Sequence, residues 1–238
     1  VAAEYARITG DKAIWHEQAA YVSGPELGEA ERDIYRRMER TEDKESVFTH
    51  CVRAIDSSLA VGAHGLPLMG GGDWNDGMDS VGSGGGESVW LGMFLYDVLM
   101  RFAPLCADMG EGERAAIYKE HAEGLKKAVQ ANAWDGAWYR RGYYDDGRPL
   151  GSAGNDECRI DAIAQAFAAL DTHADRGRVH TALTSAVAQL FDREHNVVRL
   201  FDPPITRRTP ETGYVRSYGA GLRLRPENGE GAYKTAAY

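Results

Sequence analysis

The chain has 238 residues, 43 % apolar and 26 % charged, with a formal net charge of −9. That is ample length to bury a core, and the proportions exclude disordered and membrane-embedded classes. The acidic balance excludes a nucleic-acid surface, which needs clustered Lys and Arg. The basic pairs Arg36–Arg37, Lys126–Lys127, Arg140–Arg141 and Arg207–Arg208 each lie near acids and read as solvated faces. The chain opens on Val1 rather than Met, straight into helix-like sequence, as a piece cut from a longer polypeptide would.

In chain order, the first forty residues read as two or three helices broken at Gly10 and Gly24. Val47, Phe48, Cys51, Val52, Ile55 and Leu59 recur at spacings of three and four, one face of a helix. Leu91, Phe94, Leu95, Val98, Leu99 and Phe102 repeat that pattern, and Pro104 is expected to stop it. This run, from Val89 and interrupted by Asp97, is shorter than the roughly 20 residues that span a bilayer. Ile117, Tyr118, Ala122, Leu125 and Val129 mark another helix. Trp138 to Tyr144, followed by Asp146–Gly147, reads as a hairpin. Ile160, Ile163, Phe167 and Leu170 predict a helix, as do Val179, Leu183, Ala186, Val187 and Leu190. Val197 to Phe201 reads as a strand ended by Pro203–Pro204. Nothing divides the chain, so residues 1–238 read as one domain of helix pairs. Periodicity alone leaves solenoid, bundle and closed barrel open.

The three cysteines, Cys51, Cys106 and Cys158, form no CxxC, and neither a disulfide framework nor a metal site is expected. His50, His64, His121, His173, His180 and His195 show no HxxxH spacing, and none is assigned to a metal. No GxSxG elbow points to a serine hydrolase. Two regions could carry chemistry. In Gly70–Asp79 the carboxylates of Asp73 and Asp76 flank Trp74 and Asn75 in a glycine-rich loop. A ring beside carboxylates suits a sugar: the ring stacks on the pyranose, and polar groups bond its hydroxyls. A large ring can also raise a neighbouring carboxyl's pKa, as a general acid needs. The plain alternative is a polar turn bonded to itself. Gly82, Gly84, Gly85 and Gly86 lack the Lys-Ser/Thr of a phosphate-binding loop. The second region, Asn155 to Asp161, places acids at a helix start, where the helix dipole alone favours them.

Gly72-Asp73-Trp74-Asn75-Asp76-Gly77-Met78, preceded by Ala63 to Met69, resembles glycoside hydrolase family 94. This is the family of cellobiose and chitobiose phosphorylases and of the phosphorylase-like domain of cyclic β-1,2-glucan synthases, the branch it looks most like. The similarity continues through Gly86 to Gly92 and Leu150 to Asp161, and covers about residues 1–225. It implies an (α/α)6 barrel, here an incomplete one with short β-hairpins in its loops. It implies that Asp76 is the general acid, that Trp74 lines the donor-sugar subsite, that Asp73 shapes the loop and that Glu227 matches an acceptor-site Glu. It implies inverting phosphorolysis of a β-glucoside, β-1,2-glucan in this branch, with inorganic phosphate as co-substrate and no cofactor. The implied partners are an oligo- or polysaccharide and the rest of a longer polypeptide, in the cytoplasm or as a domain of an inner-membrane protein; no nucleic acid or membrane span is expected.

Two departures are visible. The family's donor-binding Arg-Asp pair lies far upstream of the acid, whereas 75 residues precede Asp76 here. The family's phosphate-binding His has Lys234 or Thr235 in its place. Two other readings stay open: an inverting hydrolase using Glu157, Asp161 or Glu227 as base, and a non-catalytic glucan-binding module.

Overall fold

In the computed structural model, residues 1–26, 28, 36–71, 73–75, 77–82, 84–171, 173–207 and 210–217 are described. Among them are six α-helices and several short strand pairs. The chain begins with α1 (Ala2–Thr9), ended at Gly10, and a 3-10 turn over Ala13–His16. The segment then departs from the helices expected there: β1 (Gln18–Ser23) pairs antiparallel with β2 (Glu39–Ser46), with an irregularity between Ala20 and Val22. The sequence of β2, Glu-Arg-Thr-Glu-Asp-Lys-Glu-Ser, has no apolar stripe of either period. Its pairing with β1, and the bond from the Tyr21 hydroxyl to Glu45, place it as a strand.

The later helices follow their apolar faces. α2 (Val47–Asp56) starts where the Ser46 side chain accepts from the Thr49 amide, and it buries Phe48, Val52 and Ile55. α3 (Val89–Asp108) starts where the Ser88 hydroxyl accepts from the Leu91 amide at 3.0 Å. It runs on past Pro104, against expectation. Proline removes one hydrogen bond and costs about 3 kcal/mol in a helix interior. Ala103 and Cys106, on either side, are fully buried, and their packing holds the last turn. α4 (Gly112–Ala128) packs along α3 and buries Ala115, Tyr118, Ala122 and Leu125. α5 (Ala162–Leu170) and α6 (Arg176–Leu190) form another contacting pair, capped by the side chains of Asp161 and Asp175.

α3 is the hub. Leu95, Leu99 and Phe102 join Trp15, Phe48 and Tyr118 in one core cluster. Trp90 joins Met78, Ile163 and Phe201 in a second, and Val89 and Met93 join Tyr139, Ala164 and Val179 in a third. A helix apolar on nearly every side belongs inside a protein or a membrane. Contrary to the sequence reading, α3 is long and apolar enough to cross a membrane by length and composition; here more than half of it is buried in these clusters. Two residues of the expected face of α6, Leu183 and Val187, are exposed. They line an open groove of about 380 Å³ with Ile163, Phe191 and Leu200.

Three short strands tie the loops together at the start of α3. β3 (Glu87–Ser88), β4 (Gly142–Tyr143) and β5 (Pro149–Leu150) form an antiparallel sheet in that order. The expected hairpin is the β4–β5 pair, turning through Gly147 at φ 79°. Gly142 is required at its position: a Cβ there would lie 2.2 Å from the Glu87 carbonyl oxygen. The single strand expected over Val197–Phe201 is divided. β8 (Val197–Val198) pairs with β7 (Phe191–Asp192), and β9 (Phe201–Asp202) pairs with β6 (Ile160–Asp161). The switch falls at Arg199 and buried Leu200, where the Arg199 amide bonds the Leu190 carbonyl.

Candidate active site

The glycine-rich loop that follows Met69 is anchored by charge. Asp73 presents both carboxylate oxygens to Arg141: Nη1 donates to Oδ2 at 2.6 Å and Nη2 donates to Oδ1. The Ser88 hydroxyl also donates to Oδ2, and the Asn75 amide donates to Oδ1 at 3.1 Å. Arg141, just before β4, has a second anion on its other edge: its Nε lies 3.5 Å from Oδ2 of Asp161. All three charged side chains have no exposed surface. Asp161 is placed by the β6–α5 junction, where its Oδ1 caps α5 by accepting from the Ile163 amide at 2.8 Å.

Arg141 therefore contradicts the reading of Arg140–Arg141 as a solvated face. Such a pair looks like surface because an unpaired buried charge is prohibitively costly. Arg141 is buried because two carboxylates distant in sequence converge on it. Burial works to raise the Asp73 carboxyl, but the charge and hydrogen bonds of Arg141 outweigh it and hold the group below its ordinary range. Burial dominates at Asp161, pushing its carboxyl up to about 6 against the pull of Arg141.

The shift at Asp161 sets a stability prediction. The folded state binds this proton more tightly than the unfolded chain does. Its contribution is therefore complete below the ordinary value of 3.8 and is lost as pH rises through about 6. A shift of this size corresponds to roughly 3 kcal/mol. Denaturant unfolding from pH 4 to 7 is expected to show wild type losing about that much relative to Asp161→Asn, which keeps the cap. A pH-independent difference between the two would contradict it.

On the other side of the short sheet, Glu87 is buried and accepts from the His64 amide at 2.9 Å, the Leu66 amide at 3.0 Å and His64 Nδ1. The His64 ring stacks on Tyr143 with centroids 3.7 Å apart. Adjacent residues of β3 thus hold two loops, Glu87 the 64–66 turn and Ser88 the Asp73 loop. Beyond β4, Oδ1 of Asp145 accepts from the amides of Gly84, Gly85 and Gly86 at 3.1, 2.7 and 2.7 Å.

Of the residues singled out in the sequence, Asp76 and Glu227 lie outside the described residues. Asn75 and Gly77, their neighbours on either side of position 76, are buried; the Gly77 amide donates to Asn75 Oδ1 at 3.0 Å, and the Gly77 carbonyl accepts from the Val215 amide at 2.8 Å. Trp74 is half-buried and packs against the cluster of Met69, Met78 and Trp90. Asp73 is turned inward, onto Arg141. Glu157 is away from this group and is held by the Thr206 hydroxyl at 2.6 Å and the Arg207 amide. Among the described residues no cluster of three or more His, Cys, Asp or Glu side chains is arranged for a metal ion. Sequence reasoning missed Arg141, Ser88, Glu87 and His64; the last three fall in the two segments that flank the motif in the resemblance.

A family model described as "Glycosyl hydrolase 94 superfamily, catalytic domain" matches residues 5–235. The chain is 44 % identical over 237 residues to the cyclic beta-(1,2)-glucan synthase NdvB of Rhizobium meliloti, covering 99 % of this chain and 8 % of that protein. It is 34 % identical over 189 residues to a 3-O-beta-D-glucopyranosyl-beta-D-glucuronide phosphorylase of Paenibacillus borealis, covering 79 % of this chain and 24 % of that one. To a solabiose phosphorylase of the same organism it is 32 % identical over 221 residues, covering 92 % and 26 %. The chain thus spans between 8 % and 26 % of the length of these relatives.

Proposed function

The chain belongs to the glycosyl hydrolase 94 superfamily, and from that premise we propose that it is the acid-bearing part of an (α/α)6 barrel that cleaves β-glucosidic bonds by inverting phosphorolysis, with β-1,2-linked glucan as substrate. The observation that carries the reading is the anchored loop. Asp73, clamped by Arg141 and Ser88, fixes the loop whose motif matches the family's acid. Asp76 is the general acid in this reading, and it protonates the glycosidic oxygen as phosphate attacks the anomeric carbon from the opposite face. Phosphate is already an anionic nucleophile, so one carboxylate suffices, whereas an inverting hydrolase needs a second as base. Asp161 has no exposed surface, and Glu157 is occupied by Thr206 and Arg207, which weighs against either as that base. Trp74 offers the exposed part of its ring to the donor sugar, and Glu227 takes the acceptor side.

The test is product analysis on the full-length natural protein. β-1,2-Glucan and phosphate are expected to yield glucose 1-phosphate. Reducing sugar released without phosphate would favour a hydrolase, and glucan binding without turnover would favour a binding module. The 238-residue chain expressed alone is expected to release no glucose 1-phosphate. The resemblance puts the donor-binding pair well over a hundred residues before the acid, farther than the 75 residues that precede Asp76 in this chain, and the loss of substrate positioning costs far more than a tenfold effect. Turnover by the isolated chain that disappears in Asp76→Asn would overturn that expectation.

A further inference from the structure

Resting on the reading of Asp76 as the acid, we propose that Arg141 is the positioning residue of this site: clamped between Asp73 and Asp161, it fixes the backbone on both sides of position 76. The loop itself is poorly suited to hold a shape. Gly70, Gly71 and Gly77 lie in or beside it, and glycine loses more conformational freedom on ordering than any other residue. Its order comes from a chain of bonds that starts at Arg141. The guanidinium grips both oxygens of Asp73. Asp73 Oδ1 receives the Asn75 amide at 3.1 Å, and Asn75 Oδ1 receives the Gly77 amide at 3.0 Å. The Asn75 carbonyl then receives the Met78 amide at 2.9 Å. Each link passes the position of Arg141 one step further along the loop, and the last two lie beyond residue 76.

Arg141 can do this only if it is itself fixed. Its Nη edge is held by Asp73 and approached by the Ser88 hydroxyl at 3.3 Å. Its Nε edge faces Asp161 at 3.5 Å as an ion pair, and neither that nitrogen nor that oxygen has a hydrogen-bond partner. Asp161 is rigid in turn, as the cap of α5. The planar fork of arginine can meet one carboxylate on each edge, whereas a lysine ammonium is a single point charge without that geometry. The three groups come from the loop, the approach to β4 and the start of α5, so the clamp joins the loop to two separate elements.

The test compares Arg141→Lys and Asp73→Asn with wild type in the full-length protein, on two substrates with phosphate. One is β-1,2-glucan, whose alcohol leaving group needs a proton. The other is a nitrophenyl β-glucoside, whose phenolate leaves without one. A residue that acts by placing the acid should lower kcat on glucan by about 10²-fold, with KM changed by less than about threefold and the aryl glucoside turned over within about threefold of wild type. Equal losses on both substrates would mean a merely structural role and would overturn the proposal, as would undiminished glucan turnover. Asp73→Asn keeps Arg141 and one neutral oxygen acceptor, so it serves if Arg141→Lys does not fold. Hydrogen exchange at the amides of Gly77 and Met78 gives a readout independent of chemistry. It should quicken by about tenfold or more in the variants while core amides of α3 stay protected. Unchanged exchange there would also overturn the clamp. A wild-type protein without phosphorolysis would overturn the proposed function, and the exchange at Gly77 and Met78 would still decide whether the clamp exists.

Discussion

Asp76→Asn in the full-length protein is expected to lower glucan phosphorolysis by about 10²–10⁴-fold, the usual worth of a positioned general acid. Asparagine is nearly isosteric with aspartate and has no proton to give. The loss should fall on kcat, because the interaction is made only as the glycosidic bond breaks. An aryl glucoside with a phenolate leaving group should be spared. The melting temperature should stay close to that of wild type, since the core clusters are built on α1–α6 and the neighbouring loops rather than on this carboxyl. Full activity in Asp76→Asn would remove the residue from the mechanism. Kinetics with both substrates, together with a thermal melt of each variant, measure all of this.

Arg141→Met is expected to have the largest effect on stability, a loss of about 3–5 kcal/mol, as when one partner of a buried ion pair is removed. Methionine fills much of the same volume, so packing loss is small and the electrostatic loss is isolated. Asp73 and Asp161 would remain without exposed surface and without their cation. Both carboxyls should then titrate above their ordinary range, because burial is no longer opposed. A group with a raised folded pKa stabilises at low pH and loses that contribution as pH rises, so the deficit should be larger at pH 8 than at pH 5. For a chain of this length the melting temperature should fall on the order of ten degrees. Urea unfolding at the two pH values checks the sign, and a loss under about 0.5 kcal/mol would place Arg141 with ordinary surface residues.

The helices α2 and α4 were legible because each buries one face, and a period of 3.6 is written into any such sequence: Phe48, Val52 and Ile55, or Tyr118, Ala122 and Leu125. The β1–β2 pair was illegible because nothing in the charged run of β2 alternates; its strand character lies in its partner. Pro104 misled for a related reason, since a local penalty was outweighed by tertiary packing. In the site, the Asp73–Gly77 segment was legible as a compact motif. Its anchor was not. Arg141 lies 68 positions along the chain from Asp73, and its neighbour Arg140 makes the pair look like surface. Ser88 doubles as the cap of α3 and a donor to Asp73, and only the first role has a local signature.

The three amides that converge on Asp145 have a consequence for where phosphate can go. Concave runs of backbone N–H are a common seat for phosphate and other anions. Here the seat is filled by a carboxylate of the same chain. A tethered occupant competes at an effective concentration in the millimolar range or above, so a dissolved anion must outbid it at every encounter. The glycine-rich turn is in this sense a self-inhibited anion site. It keeps a dissolved anion from lodging in the turn that leads into β3. In Asp145→Ala the seat would stand open, and a dissolved anion such as phosphate would become a ligand of the loop.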